Sequence, residues 1–406
     1  MSVLPALDPS ITVQEGSNVP YTKRKRQWLE GLGLQFDPFQ YLDSGADPHL
    51  PEYLIDHGAF GALWGDWSSF LFAPPGGGKT AFRVLVARAC RIGMEGRRIF
   101  PILFRPPRPA REGEIPEEEA IFTTLFREAG AELLFQLAYQ PYRLLELPGD
   151  LQREIRLLLR TNLPSLDYYI LQLKDAGSLE PLAEAFDPTA RGLPLEPAPS
   201  SILHLCDVLS ENGSQPRPTK SHEERLSALT TVIFQILKYE SIYLLVDGAD
   251  AYTQEPSAIL RLSEPLFIRQ RTWESSKIFS KFFLPDDVFP LIQQNFPQLL
   301  TEPTKRAIIQ WDQESLAAVI QERLYVASEG MYGSLEAIST REVPHPAEAV
   351  LAQATTPPVP REMVLLAQRI FTEHLQRVGP YGWLDKQDFE AALRWYQERK
   401  HHALPT

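Results

Sequence analysis

The sequence predicts an α/β fold in which helices flank a parallel β-sheet. Three observations predict this fold class. Short, continuous apolar runs typical of buried strands recur along the chain. An amphipathic helical pattern separates the first two runs, and a glycine-rich loop joins the first run to that helix. The 406 residues allow one large domain with insertions, two domains or three small ones.

The first strand, helix and second strand are predicted from residues 68 to 104. Residues 68–73 (SSFLFA) are apolar and stop at Pro74, which is typical of a buried strand. Residues 80–93 place apolar side chains at helical spacing and end at a glycine. Residues 98–104 (RIFPILF) form the next apolar run. This order predicts a βαβ unit.

The chain from 105 to 220 departs from this order. It opens with a proline-rich segment, shows three helical patterns and closes with loop-like sequence, so we interpret it as a helical insertion. The helical patterns cover residues 117–139, 150–161 and 168–174.

The α/β pattern resumes at Ser221, which has capping-box spacing to Glu224 at the start of a predicted helix over 221–237. Three more strands and three late helices follow. The strands are predicted at 242–246, 278–284 and 306–310, and the helices at 313–328, 360–378 and 386–399. The predicted organisation is an N-terminal extension (1–27), the first part of the α/β core (28–104), the helical insertion (105–220), the second part of the core (221–312) and a C-terminal helical lid (313–406).

The composition excludes several classes of protein. With 44% hydrophobic and 23% charged residues, disordered, collagen-like and coiled-coil chains are disfavoured. The 36 prolines indicate long loops and firmly terminated helices. The net charge of −12 disfavours a general binder of nucleic acid or anionic membranes, although a local basic patch remains possible. The basic run 23–26 is either the solvated start of a helix or such a contact.

Cysteine content and the absence of apolar spans predict a cytoplasmic protein. Cys90 and Cys206 are the only cysteines and lack CxxC spacing, so we expect two buried free thiols. The first 18 residues lack the pattern of a secretory signal, and no run approaches the ~18 apolar residues of a membrane helix.

The loop between the first strand and its helix has the composition of a phosphate-binding loop. It approximates the pattern G-x-x-x-x-G-K-[ST], with Ala73 in place of the first glycine. Glycines let the backbone N–H groups wrap around phosphates, and the helix N-terminus adds a positive dipole. Lys79 would neutralise the β and γ oxygens and the Thr80 hydroxyl would hold Mg²⁺. The alternative is a glycine-rich turn that only caps a helix. The predicted nucleotide contacts are Ala73, Pro74, Pro75, Gly76, Gly77, Gly78, Lys79, Thr80 and Ala81.

An apolar strand that ends in a carboxylate would complete such a site. Residues 243–246 are apolar and are followed by Asp247, which we predict to hold Mg²⁺ through water. Asp250 is the nearest following carboxylate. It either orients the attacking water or caps a turn.

These motifs resemble those of the P-loop NTPases of the AAA+/STAND group, in particular NACHT-like ATPases. The glycine-rich loop corresponds to a Walker A element, and residues 244–250, which follow the pattern hhh-D-G-x-D, resemble the group's Walker B strand. The segment Asp37-Pro38-Phe39 with Tyr41 resembles one that packs near the adenine. Pro360-Arg361 is similar to a Pro-Arg pair whose arginine reaches the γ-phosphate from the lid.

The resemblance covers roughly residues 28–104 and 221–378. It implies ATP and Mg²⁺ as cofactors, with Lys79, Asp247 and Asp250 as catalytic residues. It also implies a regulatory switch that couples the Mg-ATP state to lid closure and to assembly with itself or a protein partner. Ala73, the alanine at 251 where the group has Glu, and the insertion depart from the pattern. Two alternatives stay open: an AAA+-like ATPase that acts on nucleic acid, and a nucleotide-binding scaffold without turnover.

Several weaker candidates complete the set. Arg269 and Arg271 are candidate arginine fingers toward a neighbouring subunit, and Ser280 or Lys281 could contact the γ-phosphate. Four histidines lack metal spacing and are not predicted ligands: His49, His57, His401 and His402. A group of aromatic residues is interpreted as packing, with base stacking as the alternative for one ring: Phe36, Phe39, Tyr41 and Tyr53.

Overall fold

The computed structural model describes residues 20–55, 58–108, 116–211 and 221–403. These residues form two compact units. The sheet unit contains Asp43–Pro51 and Asp56–Gln310. The helical unit combines the chain up to Leu42 and Glu52–Ile55 with the chain from Trp311 onward.

Five strands and sixteen α-helices are assigned in the described residues. The strands are β1 (Ser69–Phe72), β2 (Ile99–Phe104), β3 (Ser241–Val246), β4 (Ile278–Leu284) and β5 (Lys305–Ile308). The helices are α1 (Tyr21–Leu32), α2 (Phe60–Leu63), α3 (Lys79–Ile92), α4 (Glu118–Tyr139), α5 (Tyr142–Leu145), α6 (Gly149–Asn162), α7 (Leu166–Ala176), α8 (Glu180–Phe186), α9 (Pro199–Ser210), α10 (His222–Thr230), α11 (Pro256–Ser275), α12 (Phe289–Asn295), α13 (Gln313–Ala327), α14 (Ala347–Ala354), α15 (Pro360–Arg377) and α16 (Lys386–Ala403). Helix α10 continues as a π-helical segment, Thr231–Ile236. Short 3₁₀ turns lie at Leu50–Glu52, Met94–Gly96, Pro188–Ala190, Ala249–Ala251, Asp286–Val288, Pro297–Leu300 and Leu335–Ile338.

The five strands form one parallel sheet in the order β2-β3-β4-β1-β5. Every residue of β1, β3 and β4 is buried. Helices cover both faces of such a sheet, so its strands read as continuous apolar runs. All five predicted strands, and with them the α/β class, are confirmed, although the edge strand β5 alternates between half-buried and exposed residues. Because all pairings are parallel, the carboxyl ends of the strands meet at one edge, where ligands of open α/β sheets bind.

The predicted insertion belongs to the sheet unit. Its first helix, α4, packs along β2, and Phe126 and Leu133 of α4 share one apolar core with Phe104 of β2. Helix α9 begins where the sequence indicated a loop, because Pro199 occupies the first helical turn, where a missing N–H is tolerated.

The helical unit joins the N-terminal segment to the C-terminal helices. Trp28 of α1 stacks on His374 at 4.7 Å between ring centroids and meets Phe371 edge-on at 4.9 Å. Its indole Nε1 donates to the Gly382 carbonyl at 3.0 Å. Residues 28–42, which we predicted to open the α/β core, therefore pack with α13, α15 and α16 instead, because α1 presents an apolar face that these helices cover.

Both cysteines are buried free thiols, as predicted. Burial raises the pKa of Cys90 far above its ordinary value and that of Cys206 to about 11. Within the described ranges, no helix combines the length and apolar character needed to cross a bilayer.

Candidate functional site

The glycine-rich loop (residues 73–80) lies at the carboxyl end of β1 and opens α3. Gly76 and Gly78 have φ angles of 79° and 99°, a left-handed conformation that favours glycine. A Cβ added at Gly77 would lie 2.9 Å from the Pro74 carbonyl oxygen, which accepts the Gly77 N–H at 2.9 Å. Each glycine is thus required by the local backbone. Ala73, fully buried, extends the sheet by donating its N–H to Leu284 at 3.2 Å.

Lys79 folds its side chain back over the loop. The Nζ atom donates to the carbonyls of Ala73 at 3.1 Å and Pro74 at 3.3 Å, and it pairs with Asp250 Oδ2 at 3.2 Å. The lysine is 6% exposed, whereas the Asp250 side chain is 24% exposed. A nearly buried ammonium therefore stands at the mouth of the loop, with an accessible carboxylate as its counterion.

Asp247 follows β3 and is held by an arginine of α3. Its backbone N–H donates to Phe104 at 3.0 Å, and its Oδ2 lies 3.2 Å from Arg83 Nε. Both side chains are buried. The pair has ion-pair distance without the alignment of a hydrogen bond, since Arg83 Nε has no hydrogen-bond partner among the described residues. Arg83 lies one helical turn after Lys79, so one face of α3 carries both cations.

Two further carboxylates follow β4 at the same edge. Asp286 and Asp287 are exposed and form the start of a 3₁₀ turn. The pKa of Asp287 is raised by partial burial and by the carboxylates of Asp286 and Asp250, while Lys79 opposes this shift. Lys79 therefore lies among the carboxylates that follow β3 and β4.

The N-cap position of α3 is Gly78, which provides no side-chain cap, and no acidic residue lies in the first turn of the helix. The positive end of the helix dipole at such a terminus attracts negative charge. Thr80 is partly exposed at this position. Ala81, also predicted as a contact, is buried in the same turn.

The oxygen ligands of Thr80 and Asp247 could hold Mg²⁺ only together with phosphate oxygens. Among the residues that the structure describes, no three His, Cys, Asp or Glu side chains are arranged to hold a metal. Mg²⁺ commonly uses one or two protein oxygens, several waters and the substrate phosphates. The hydroxyl of Thr80 and the carboxylate of Asp247 are hard oxygen ligands of this kind.

The expectation that Ser280 or Lys281 contacts a phosphate is wrong for Lys281. Its Nζ donates to the carbonyls of Gly65 and Trp67, before the start of β1, and lies 4.4 Å from the Tyr243 ring centroid. Both residues are fully buried within β4, and Lys281 is level with Ser69, the first residue of β1. The side chain thus points toward the amino ends of the strands.

The candidate arginine fingers are engaged within the sheet unit. Arg269 pairs with Glu118 and lies over the Phe122 ring, whereas Arg271 donates to the Gln298 carbonyl at 2.9 Å and pairs with Glu274 at 3.0 Å.

The remaining candidates lie mostly in the helical unit. Arg361 is exposed in the first turn of α15. The Asp37-Pro38-Phe39 segment is packed: Asp37 accepts from the Phe39 N–H at 3.0 Å, and the Phe39 ring meets Phe371 at 5.0 Å. Tyr53 is buried too, so packing accounts for these two rings. His57 and the side chain of His402 lie outside the described residues.

Sequence reasoning missed Arg83, Asp286 and Asp287. The position of Arg83 near the site could have been predicted, because it is four residues after Lys79 on the same helix. The two aspartates could have been predicted to lie there because they follow β4, and the carboxyl ends of parallel strands share one edge. Comparisons with protein-family models, curated proteins and solved structures found no match.

Proposed function

We propose that the chain binds ATP at the glycine-rich loop, hydrolyses it with Mg²⁺, and acts as a regulatory switch of the AAA+/STAND type. The observation that carries the proposal is the position of Lys79. Its ammonium is held by two loop carbonyls at the N-terminus of α3, and it pairs with Asp250 on the loop after β3, which also carries Asp247. A phosphate chain requires this combination of backbone donors, one cation and a metal-binding carboxylate.

Each residue of the site has a separate role in binding or hydrolysing the triphosphate. The loop N–H groups and the start of α3 bind the inner phosphates, and Lys79 neutralises the oxygens between the last two. Thr80 and Asp247 would hold Mg²⁺, which neutralises charge on the phosphates when bound. Asp250 orients a water for attack on the terminal phosphorus. The new P–O bond forms as the bond to the bridging oxygen breaks, giving ADP and phosphate, and the water proton passes to Asp250 and then to solvent.

The switch begins with an exchange of partners. Without phosphate, Lys79 pairs with Asp250, and Asp247 pairs with Arg83. A triphosphate competes for Lys79 and releases Asp250, so ligand binding changes the loop after β3. By resemblance, the helical unit would respond as a lid through Arg361 and present a surface for self-assembly or a protein partner. Equal hydrogen exchange in α15 with and without Mg-ATP would remove the lid step.

A non-hydrolysing scaffold is the second candidate. The same two ion pairs favour it, because both carboxylates needed for turnover are engaged, and the position after Asp250 is Ala251.

Steady-state phosphate release with Mg-ATP separates these functions. The variants are Lys79→Ala and Asp250→Asn, and Lys174→Ala, which removes an exposed lysine of α7, is the matched control. We expect turnover to disappear in the first two variants while Asp250→Asn still binds ATP and the control behaves as wild type. Tight binding with no turnover above the Lys79→Ala background supports the scaffold. No binding by the wild type contradicts both.

A further inference from the structure

Arg105 is a cation at the carboxyl-terminal edge of the sheet, where the glycine-rich loop also lies. It is the first residue after β2, adjacent to Phe104, whose carbonyl accepts the Asp247 N–H at 3.0 Å. Arg105 is therefore level with the carboxylate that ends β3. Its guanidinium forms no ion pair or hydrogen bond with any residue in the described part of the chain, although acidic groups surround this edge.

Two glycines make room for the Arg105 side chain. A Cβ added at Gly248 would lie 3.7 Å from Arg105 Cγ and 3.9 Å from Cδ, so the stem of the arginine crosses the backbone directly after Asp247. A Cβ added at Gly45 would lie 2.8 Å from Arg105 Nη2 and 3.5 Å from the Thr80 methyl carbon. The guanidinium and Thr80 therefore approach the same point from different elements.

We propose that Arg105 binds the terminal phosphate of the nucleotide and so distinguishes triphosphate from diphosphate. This inference rests on the proposed function and adds a ligand-reading residue to it. The glycine-rich loop follows β1 and holds the inner phosphates, whereas β2 lies beyond β3 on the opposite side of Asp247. A guanidinium that reaches Thr80 from the β2 side therefore faces the outer end of the phosphate chain. Its planar donors match two oxygens of a phosphate group.

The chemistry explains why the guanidinium is unpaired. In the absence of nucleotide, an arginine locked onto Asp247 or Asp250 would have to break that pair before it could bind phosphate. Arg83 and Lys79 instead hold the two carboxylates. Arg105 is left as the cation that meets the ligand without losing a protein partner.

Calorimetric binding of Mg-ATP and Mg-ADP tests the proposal on the full chain. The variants are Arg105→Ala, Arg105→Lys and Gly45→Ala, the last of which keeps the arginine but places a methyl group at its guanidinium. Gly45 is outside the left-handed region, so alanine is conformationally acceptable there. Arg108→Ala removes an exposed arginine three residues on and is the control, and Lys79→Ala reports on the nucleotide site itself.

We expect Arg105→Ala to weaken Mg-ATP about 10- to 100-fold and Mg-ADP by no more than about threefold, which is the effect of losing one charge-assisted contact. Arg105→Lys recovers part of the loss, and Gly45→Ala lowers the ATP preference in the same direction. If Lys79→Ala loses both nucleotides while Arg105→Ala keeps the wild-type ratio of ATP to ADP affinity, the inference is overturned and the proposed function stands. If the wild type binds neither nucleotide, both are overturned.

Discussion

A buried ionic cluster should make Arg91 one of the most sensitive positions of the sheet unit. Arg91, on α3, pairs with Glu132 of α4 at 2.6 Å and with Asp187 at 2.7 Å. The three side chains are 2–3% exposed. Burial raises the pKa of Glu132, whereas for Asp187 the guanidinium groups of Arg91 and Arg83 outweigh burial and lower the pKa. The cluster ties the helix of the glycine-rich loop to the insertion.

Removing the arginine leaves two buried carboxylates close together. Breaking a buried pair by deleting one partner costs about 3–5 kcal/mol, whereas replacing the whole pair with apolar groups is often near neutral. We therefore expect Arg91→Ala to lower the free energy of unfolding by about 3–5 kcal/mol. The triple variant Arg91→Met, Glu132→Leu and Asp187→Asn, which removes all three charges, should recover more than half of that loss.

Urea unfolding followed by circular dichroism measures this effect. Lys174→Ala breaks an exposed pair with Asp207 and should cost at most about 1 kcal/mol. Arg91 opposes the effect of burial on Glu132, so the pKa of this carboxyl should rise further in Arg91→Ala. A carboxyl whose folded-state pKa is raised contributes stability below its unfolded pKa and loses it as the pH rises through the folded value. The deficit of Arg91→Ala should therefore shrink as the pH falls from 7 to 5. A loss no larger than that of Lys174→Ala would show that the buried cluster around Arg91 does not stabilise the sheet unit.

Three other perturbations have defined outcomes. Burial lowers the pKa of Lys281 to about 7, with Cys90, Asp66, Arg97 and Glu274 as its charged or titratable surroundings. Between about pH 7 and 10.5 the unfolded chain therefore binds more protons than the folded chain. The free energy of unfolding of the wild type should rise with pH over that window by up to about 1.4 kcal/mol per pH unit. In urea unfolding, Lys281→Met should lack this rise. Gly77→Ala should destabilise the protein by about 1–3 kcal/mol in thermal unfolding and abolish nucleotide binding, because the added Cβ would clash with the Pro74 carbonyl. Wild-type nucleotide affinity in this variant would show that the loop does not need a glycine at this position. Trp28→Ala should lower the free energy of chemical unfolding by about 3–5 kcal/mol, because the indole is buried against His374. A change below about 1 kcal/mol would contradict the packing of α1 with the C-terminal helices.

Most of the sheet could be predicted from sequence because β1, β3 and β4 are fully buried and β2 nearly so. Residues 242–246 are a continuous apolar run, and residues 278–284 are apolar except for Ser280 and Lys281; both segments form fully buried strands. The glycine-rich loop was also readable, because Gly76 and Gly78 supply the positive φ angles that the strand-to-helix turn uses. Local sequence thus determined the elements that depend on local backbone and burial.

Features that depend on distant pairing could not be predicted. The segment from Trp28 to Phe39 joins helices more than 280 residues later in the chain, as the Arg323 hydrogen bond to the Pro38 carbonyl shows at a separation of 285 residues. The pairing of Arg83 with Asp247 links residues 164 positions apart, so the spacing from Lys79 could indicate that Arg83 is near the site but not which carboxylate it contacts. For Lys281 the sequence predicted a contact that does not form. A polar residue inside an apolar strand suggested a phosphate contact, whereas the ammonium donates to backbone carbonyls instead.

Equilibrium binding of Mg-ATP to the wild type and to Lys79→Ala is the decisive test of whether the glycine-rich loop binds nucleotide. Isothermal titration calorimetry of both proteins, with their folding checked by circular dichroism, gives the two affinities under the same conditions. We expect saturable one-site binding by the wild type and a loss of at least about 10-fold in the variant, since a nearly buried ammonium contact to phosphate is removed. Equal affinity of the two proteins, or no binding by the wild type, would contradict it.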